Sequence, residues 1–125
     1  MIALYLAAFL LFAIGLAHSV LGERYLLVRL FRRDDLPKLG GSADFTKRVL
    51  RFAWHITTIA WWGIAAILCE IASANFSVQN TVLAIGLTFI LSGITALIAA
   101  RGKHYSWIFF LLVGVLCLWF AATKT

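Results

Sequence analysis

Residues 24–51 read RYLLVRLFRRDDLPKLGGSADFTKRVLR and carry eight of the eleven Lys and Arg residues of this 125-residue chain. Long apolar segments lie on both sides of this stretch. Two more basic residues, Arg101 and Lys103, stand in a short break between two further apolar segments, whereas residues 73–80 contain no Lys or Arg. In membrane proteins, short loops rich in Lys and Arg stay on the cytoplasmic side of the membrane. The charge pattern therefore predicts a membrane topology.

The composition agrees with a membrane protein. The chain is 63% hydrophobic and only 13% charged, with a mean hydropathy of +0.97, whereas a soluble domain contains roughly 25% charged residues. A net charge of +6 would suggest a nucleic-acid partner if it were spread over a soluble surface. Here the charge flanks apolar segments, so we expect attraction to anionic lipid headgroups and no nucleic-acid partner.

Four apolar segments approach the length of about 20 residues that a helix needs to cross a bilayer. The first lacks the positive start of a signal peptide, so we interpret it as a retained span. With both basic segments in the cytoplasm, both termini face outside, and we expect a bacterial inner membrane. The sequence thus predicts a single all-α domain, a four-helix transmembrane bundle over residues 1–125. Its predicted spans are residues 2–22, 52–72, 81–100 and 105–122, with a basic cytoplasmic loop at residues 23–51.

The start of the basic segment has the pattern of an amphipathic helix. Over residues 24–33, apolar side chains recur on one helical face, and Arg29, Arg32 and Arg33 lie on the opposite face. This segment either extends the first helix into the cytoplasm or lies on the lipid headgroups. We expect the three arginines to bind anionic lipid or a partner protein. Ser42 is the predicted N-cap of the next helix.

The three histidines are the candidate ligands of a cofactor. The predicted topology places His18, His55 and His104 on three different helices at about the same depth, near the cytoplasm. Imidazole is a common ligand of Zn, Cu and Fe, and facing histidines can hold haem. One hypothesis is therefore a transition-metal or haem site built from His18 and His55 and completed by His104 or Glu23. In the alternatives, each histidine hydrogen-bonds a neighbouring helix, or the histidines handle a proton or a substrate.

Two other functions stay open. An acidic residue within a membrane span is a functional candidate, so Glu70 and the aromatic residue Trp62 define a small, oligomeric transporter as an alternative. We also weigh an interfacial position in which Glu70 reaches water. The third function is an accessory or structural subunit of a membrane complex, docked through the basic loop. The chain shows no nucleophile–base motif or phosphate loop, so we do not expect an enzyme.

Small residues predict where the helices approach each other closely. The stripe of Gly15, His18, Ser19 and Gly22 should face the bundle interior. The remaining expectations concern single positions: close packing at Gly86 and Gly93, a salt bridge from Glu23 to Arg48 or Arg51, and Cys69 and Cys117 as small buried residues without a disulfide.

Overall fold

The chain folds into four long helices that match the four predicted spans. The computed structural model describes residues 1–123, and these residues contain no β-strand. All four helices are long and apolar enough to cross a membrane, which confirms the predicted class. They are α1 (Ile2–Leu30), α2 (Ala43–Ala72), α3 (Val78–Ala99) and α4 (Ser106–Thr123).

Helix α1 changes its winding near its end. It is α-helical over Ile2–Leu21, becomes a π-helix at Gly22–Leu27 and closes with an α-helical turn at Val28–Leu30. The helix therefore runs past residue 22, where the predicted span ended, because hydropathy marks the hydrocarbon layer and not the helix end. The helix includes the first part of the basic segment, as far as Leu30. π-helical turns are rare and are often found at functional sites.

Helix α2 begins at Ala43, directly after the predicted N-cap Ser42 and nine residues before the predicted span at residues 52–72. The Ser42 side chain accepts a hydrogen bond from the Phe45 amide at 3.3 Å, which confirms Ser42 as the N-cap. With 30 residues, α2 is about 45 Å long and exceeds the hydrocarbon thickness of about 30 Å. Its first turns therefore extend beyond the hydrocarbon. The predicted loop at residues 23–51 is accordingly much shorter and spans residues 31–42.

The helices pack in chain order and form an open bundle. Helix α1 packs on α2, α2 packs on α3, and α3 packs on α4. Within residues 1–123, no Cα atom of α1 comes within 8 Å of a Cα atom in α3 or α4. Helix α1 consequently has a single neighbour, and its outer face exposes large apolar side chains such as Phe9 and Leu10. Helix α4 does the same with Phe109 and Trp119.

The predicted small-residue contacts are confirmed. Gly86 and Gly93 are buried, and a Cβ atom at Gly93 would lie only 2.7 Å from the Leu111 side chain on α4. Both cysteines are free, as expected, but Cys69 is exposed. Its predicted burial is wrong because the open arrangement leaves part of α2 uncovered.

The two basic segments meet at one end of the bundle. The guanidinium of Arg48, near the start of α2, donates to the carbonyl of Ala99 at the end of α3 at 3.5 Å. The ring of His104 lies 5.2 Å from that of Phe52 on α2. Arg101 and Lys103 therefore lie at the same end as the Arg-rich start of α2.

Candidate functional site

A chain of polar side chains joins α1 and α2 near this basic end. His55 lies at its centre, with Nδ1 2.9 Å from Ser19 Oγ and Nε2 3.1 Å from Glu23 Oε2. The Ser19 hydroxyl is also 2.7 Å from Thr58 Oγ1, and Thr58 donates to the Gly15 carbonyl at 3.1 Å. Four hydrogen bonds in sequence therefore connect the two helices. We call this set of five residues the polar network.

The carboxylate of Glu23 has a second partner in Arg51. Arg51 Nη2 lies 2.8 Å from Oε1, and Arg51 Nε donates to Oε2 at 3.1 Å. The predicted salt bridge from Glu23 to Arg51 is thus confirmed. The side chains of Glu23 and His55 are 33% and 30% exposed, so neither is fully enclosed by the protein. An arginine keeps its charge at every physiological pH and favours the ionised carboxylate beside it.

The spacing of these residues along each helix explains why they meet. Ser19 and Glu23 are four residues apart on α1, and Arg51, His55 and Thr58 stand at positions i, i+4 and i+7 on α2. Each set occupies one face of its helix. The structure turns the two faces toward each other.

Two tryptophans of α2 hold α1 in register next to the network. Trp54 Nε1 donates to the His18 carbonyl at 3.0 Å, and Trp62 Nε1 donates to the Phe12 carbonyl at 3.1 Å. Close approach is required here, because a Cβ atom at Gly22 would overlap the Trp54 ring. The π-helix starts at Gly22, so the change in winding coincides with this contact.

The three histidines occupy separate environments. His18 stacks on Trp54 with ring centroids 4.2 Å apart, and its buried Nε2 atom has no hydrogen-bond partner. His104 Nδ1 lies 2.8 Å from Ser106 Oγ. Within residues 1–123, no group of three His, Cys, Asp or Glu side chains is placed to hold a metal ion. The predicted ligand set is therefore not assembled in the described part of the chain, and metal or haem binding stays a prediction.

Glu70 and Trp62, the residues of the predicted transporter, serve different contacts. Glu70 Oε1 accepts from the Ser77 amide at 2.7 Å and from Asn80 Nδ2 at 3.2 Å. A carboxylate at the N-terminus of a helix is favourable, so Glu70 stabilises the connection between α2 and α3. Trp62 instead binds α1. Transport through these residues stays a prediction.

The three arginines predicted to bind lipid or a partner are exposed. Arg29 lies against the Tyr25 ring, with its guanidinium carbon 5.9 Å from the centroid, and Arg33 forms a 2.6 Å salt bridge with Asp35. The hydrogen bond from Arg33 lowers the pKa of Asp35 below its ordinary value. Part of the positive charge of this segment is therefore neutralised within the loop.

The four contacts of the polar network need more protons than its side chains supply when His55 is neutral and Glu23 is ionised. Its four hydrogen bonds need one proton each. The hydroxyls of Ser19 and Thr58 supply one each, so two must come from His55 and Glu23 together. A neutral imidazole beside an ionised carboxylate has only one. The geometry therefore matches an additional proton on this pair.

The directions of the hydrogen bonds place this proton. Thr58 donates to the Gly15 carbonyl, which can only accept, so the bond between Thr58 and Ser19 is donated by Ser19. His55 Nδ1 must then donate to Ser19. Since Arg51 favours an ionised Glu23, the remaining proton lies on His55 Nε2 and points at the carboxylate. All four hydrogen bonds can therefore form at once only with the imidazolium form of His55.

The same directions argue against a hydrolase. Ser, His and Glu are residue types of a nucleophilic triad, in which the serine donates its proton to the histidine. Here the Ser19 proton points to Thr58 and away from His55. The amides around Ser19 belong to a continuous helix and are committed to its hydrogen bonds, so they do not form an oxyanion hole.

The sequence predicted only part of this site. Glu23 was the candidate completing ligand, and Ser19 was placed on an inward face, but the hydroxyls of Ser19 and Thr58 were not predicted site residues. The available signal was the four-residue spacing of Ser19 and Glu23, together with the matching spacing on α2.

Comparison with known proteins gives no match to a family model, a curated protein or a solved structure. We therefore infer function from the polar network and its surroundings.

Proposed function

We propose that the protein is a proton-responsive integral membrane protein. In this proposal, the pair of Glu23 and His55 binds and releases one proton, and the proton sets the hydrogen bonds between α1 and α2. The observation that supports it is the chain of four hydrogen bonds that is complete only when the pair holds the additional proton.

Loss of this proton leaves one hydrogen bond too few. If Nε2 of His55 keeps its proton for Glu23, then Nδ1 becomes an acceptor and the Ser19 hydroxyl must turn toward it. Thr58 then donates to Ser19 or to the Gly15 carbonyl, but not to both. The contact between the helices thus has two alternative hydrogen-bond patterns, and the proton selects between them.

The packing of α1 gives this choice a structural consequence. Helix α1 contacts only α2 among the described helices, so its position depends on that one interface. The charged neighbours of His55 at this interface are Glu23 on α1 and Arg51 on α2, and His18 lies one turn before Glu23. We expect release of the proton to loosen the end of α1.

The proton step can be tested by difference titration of the purified protein in detergent micelles. His55→Gln should remove one proton-binding step. Glu23→Gln should weaken proton binding at His55, because the imidazolium loses its opposite charge. His104→Gln is the matched control, because His104 is bonded to Ser106 and has no carboxylate in the network. His104→Gln should remove a different proton-binding step, which Glu23→Gln leaves unchanged. An unchanged His55 step in Glu23→Gln would contradict the proposal.

The structural response can be followed by hydrogen exchange of the α1 amides at two pH values, one on each side of the His55 step. We expect faster exchange around residues 15–23 when the proton is released, and no such change in His55→Gln. If amide exchange in α1 depends on pH equally in the wild type and in His55→Gln, the proton on His55 does not control α1. That result would contradict the proposed structural response.

We further propose that the basic end faces the cytoplasm of a bacterial cell, with both termini outside the inner membrane. The support is that residues 24–51 and the pair Arg101 and Lys103 lie at one end of the bundle, as the preference for positive cytoplasmic loops requires. An alkaline phosphatase fused after residue 125 should be active, and a fluorescent GFP fusion at that position would contradict this orientation.

A second candidate function is docking of anionic lipid or a membrane partner through Arg29, Arg32 and Arg33, all of which are exposed. In this reading the protein is an accessory subunit or a homo-oligomer. Replacing the three arginines by Gln should reduce binding to vesicles that contain phosphatidylglycerol. Unchanged binding would exclude this segment as the docking surface.

A further inference from the structure

A second site lies at the basic end, away from the polar network. A cavity of about 280 Å³ opens between the start of α2 and the connection from α3 to α4. Its lining includes Ser42, Asp44 and Arg48 from α2 and Arg101 and Lys103 from the connection. Since one water molecule takes about 30 Å³ of liquid volume, the cavity has room for a phosphate group.

The charges of this cavity do not cancel. Its carboxylate, Asp44, is bound by Arg48 Nε at 2.8 Å. Arg101 and Lys103 form no salt bridge with any of residues 1–123. Two positive charges therefore remain in excess. The start of α2 adds the partial positive charge of a helix N-terminus.

The backbone holds these two residues in a defined conformation. Arg101 has φ of 51° and is the single non-glycine residue with positive φ in the described chain. The Gly102 amide donates to the Leu97 carbonyl at 2.9 Å, and the Lys103 amide donates to the Ala100 carbonyl at 3.1 Å. A left-handed conformation is unfavourable for arginine and is often retained at functional sites.

We propose that this cavity binds the phosphate group of an anionic lipid headgroup. Arg and Lys are the side chains that bind phosphate most strongly. The cavity lies at the end of four membrane-spanning helices, where headgroups are the most abundant phosphate groups, and basic residues at this level attract anionic lipid. The site shares no residue with the polar network, so each proposal can fail alone.

The test is a calorimetric titration of the full-length protein in detergent with short-chain phosphatidylglycerol, short-chain phosphatidylcholine or inorganic phosphate. We expect phosphatidylglycerol to bind most tightly. The double variant Arg101→Gln, Lys103→Gln should weaken this binding by about 30-fold, since each basic residue contributes about fivefold. The control variant Arg24→Gln, Lys38→Gln makes the same change in charge at two exposed positions outside the cavity and should change binding by less than about threefold.

A charge-conserving variant, Arg101→Lys with Lys103→Arg, guards against misfolding and should keep binding close to wild type. Equal losses of phosphatidylglycerol affinity in the cavity variant and the control variant would show that total charge alone sets the binding. That result would contradict a lipid site in this cavity. Inorganic phosphate bound as tightly as phosphatidylglycerol would overturn the assignment to lipid. No loss in the cavity variant would also refute the proposal.

Discussion

The contact between α1 and α2 and the contact between α3 and α4 use small residues in the same way but differ in their chemistry. Gly114 lets α3 and α4 approach, and near one end of this contact the Gln79 side chain on α3 donates to the Ala121 carbonyl on α4 at 2.6 Å. Between α1 and α2, the hydroxyls of Ser19 and Thr58 bond across the interface. The contact between α3 and α4 rests mainly on close packing, whereas the contact between α1 and α2 also contains the pair of Glu23 and His55 that we propose binds a proton.

The largest loss of stability should come from a substitution that disrupts the close contact between α3 and α4. At Gly114, a Cβ atom would lie 2.7 Å from the Ile90 side chain and 3.0 Å from its backbone nitrogen. Since the backbone cannot easily shift, Gly114→Ala should lower the free energy of unfolding by about 1–3 kcal/mol. Denaturant unfolding in micelles measures this value. Ala13→Val, which enlarges an exposed position, is the control and should have little effect.

The next effect separates hydroxyls that cross the interface from those that do not. Thr58→Val removes the bonds to Ser19 and Gly15 and should cost about 0.6–1.7 kcal/mol. Thr57 is the matched control, because its hydroxyl donates to Ala53 on its own helix. Thr57→Val should change the unfolding free energy by much less. Equal costs at the two positions would remove the distinction between the interfaces.

The smallest effect on stability should come from the exposed ion pair of Arg33 and Asp35, which lies outside the polar network. The guanidinium of Arg33 holds the pKa of Asp35 below its ordinary value. A carboxyl with a lowered folded-state pKa stabilises the fold above its unfolded pKa, and this contribution is lost as the pH falls through the folded value. Both side chains are exposed, so the change should be small. Asp35→Asn should remove this small pH dependence of the unfolding free energy at acidic pH. If the wild type instead loses much stability at acidic pH and the variant does not, the exposed ion pair is not the weak contact expected here.

The number of spans follows from the sequence because apolar length is a local property. The helix ends follow only in part: the capping pattern marked the start of α2 at Ser42, but hydropathy did not mark the end of α1 at Leu30. To find the polar network from the sequence, the position of Glu23 on the helix has to be compared with that of Ser19 and not with that of His18. Measured from His18, Glu23 lies about 140° around the helix, but from Ser19 it lies only about 40° away.

Other features required the three-dimensional arrangement. The π-helix at Gly22–Leu27 has no local signature in its residues. The separation of His18, His55 and His104 depends on side-chain orientation, and a shared membrane depth does not define it. The cavity beside Arg101 depends on how the end of α3 meets the start of α2.

The central claim is that His55 carries two ring protons while it contacts Ser19 and Glu23. Nitrogen NMR of protein labelled with ¹⁵N-histidine reports this directly, and His55→Gln assigns the signal. In the state that keeps the contact with Glu23, both ring nitrogens should show the shifts of an imidazolium ion, and both should change when the proton is released. A neutral ring with one protonated nitrogen in that state would contradict the account.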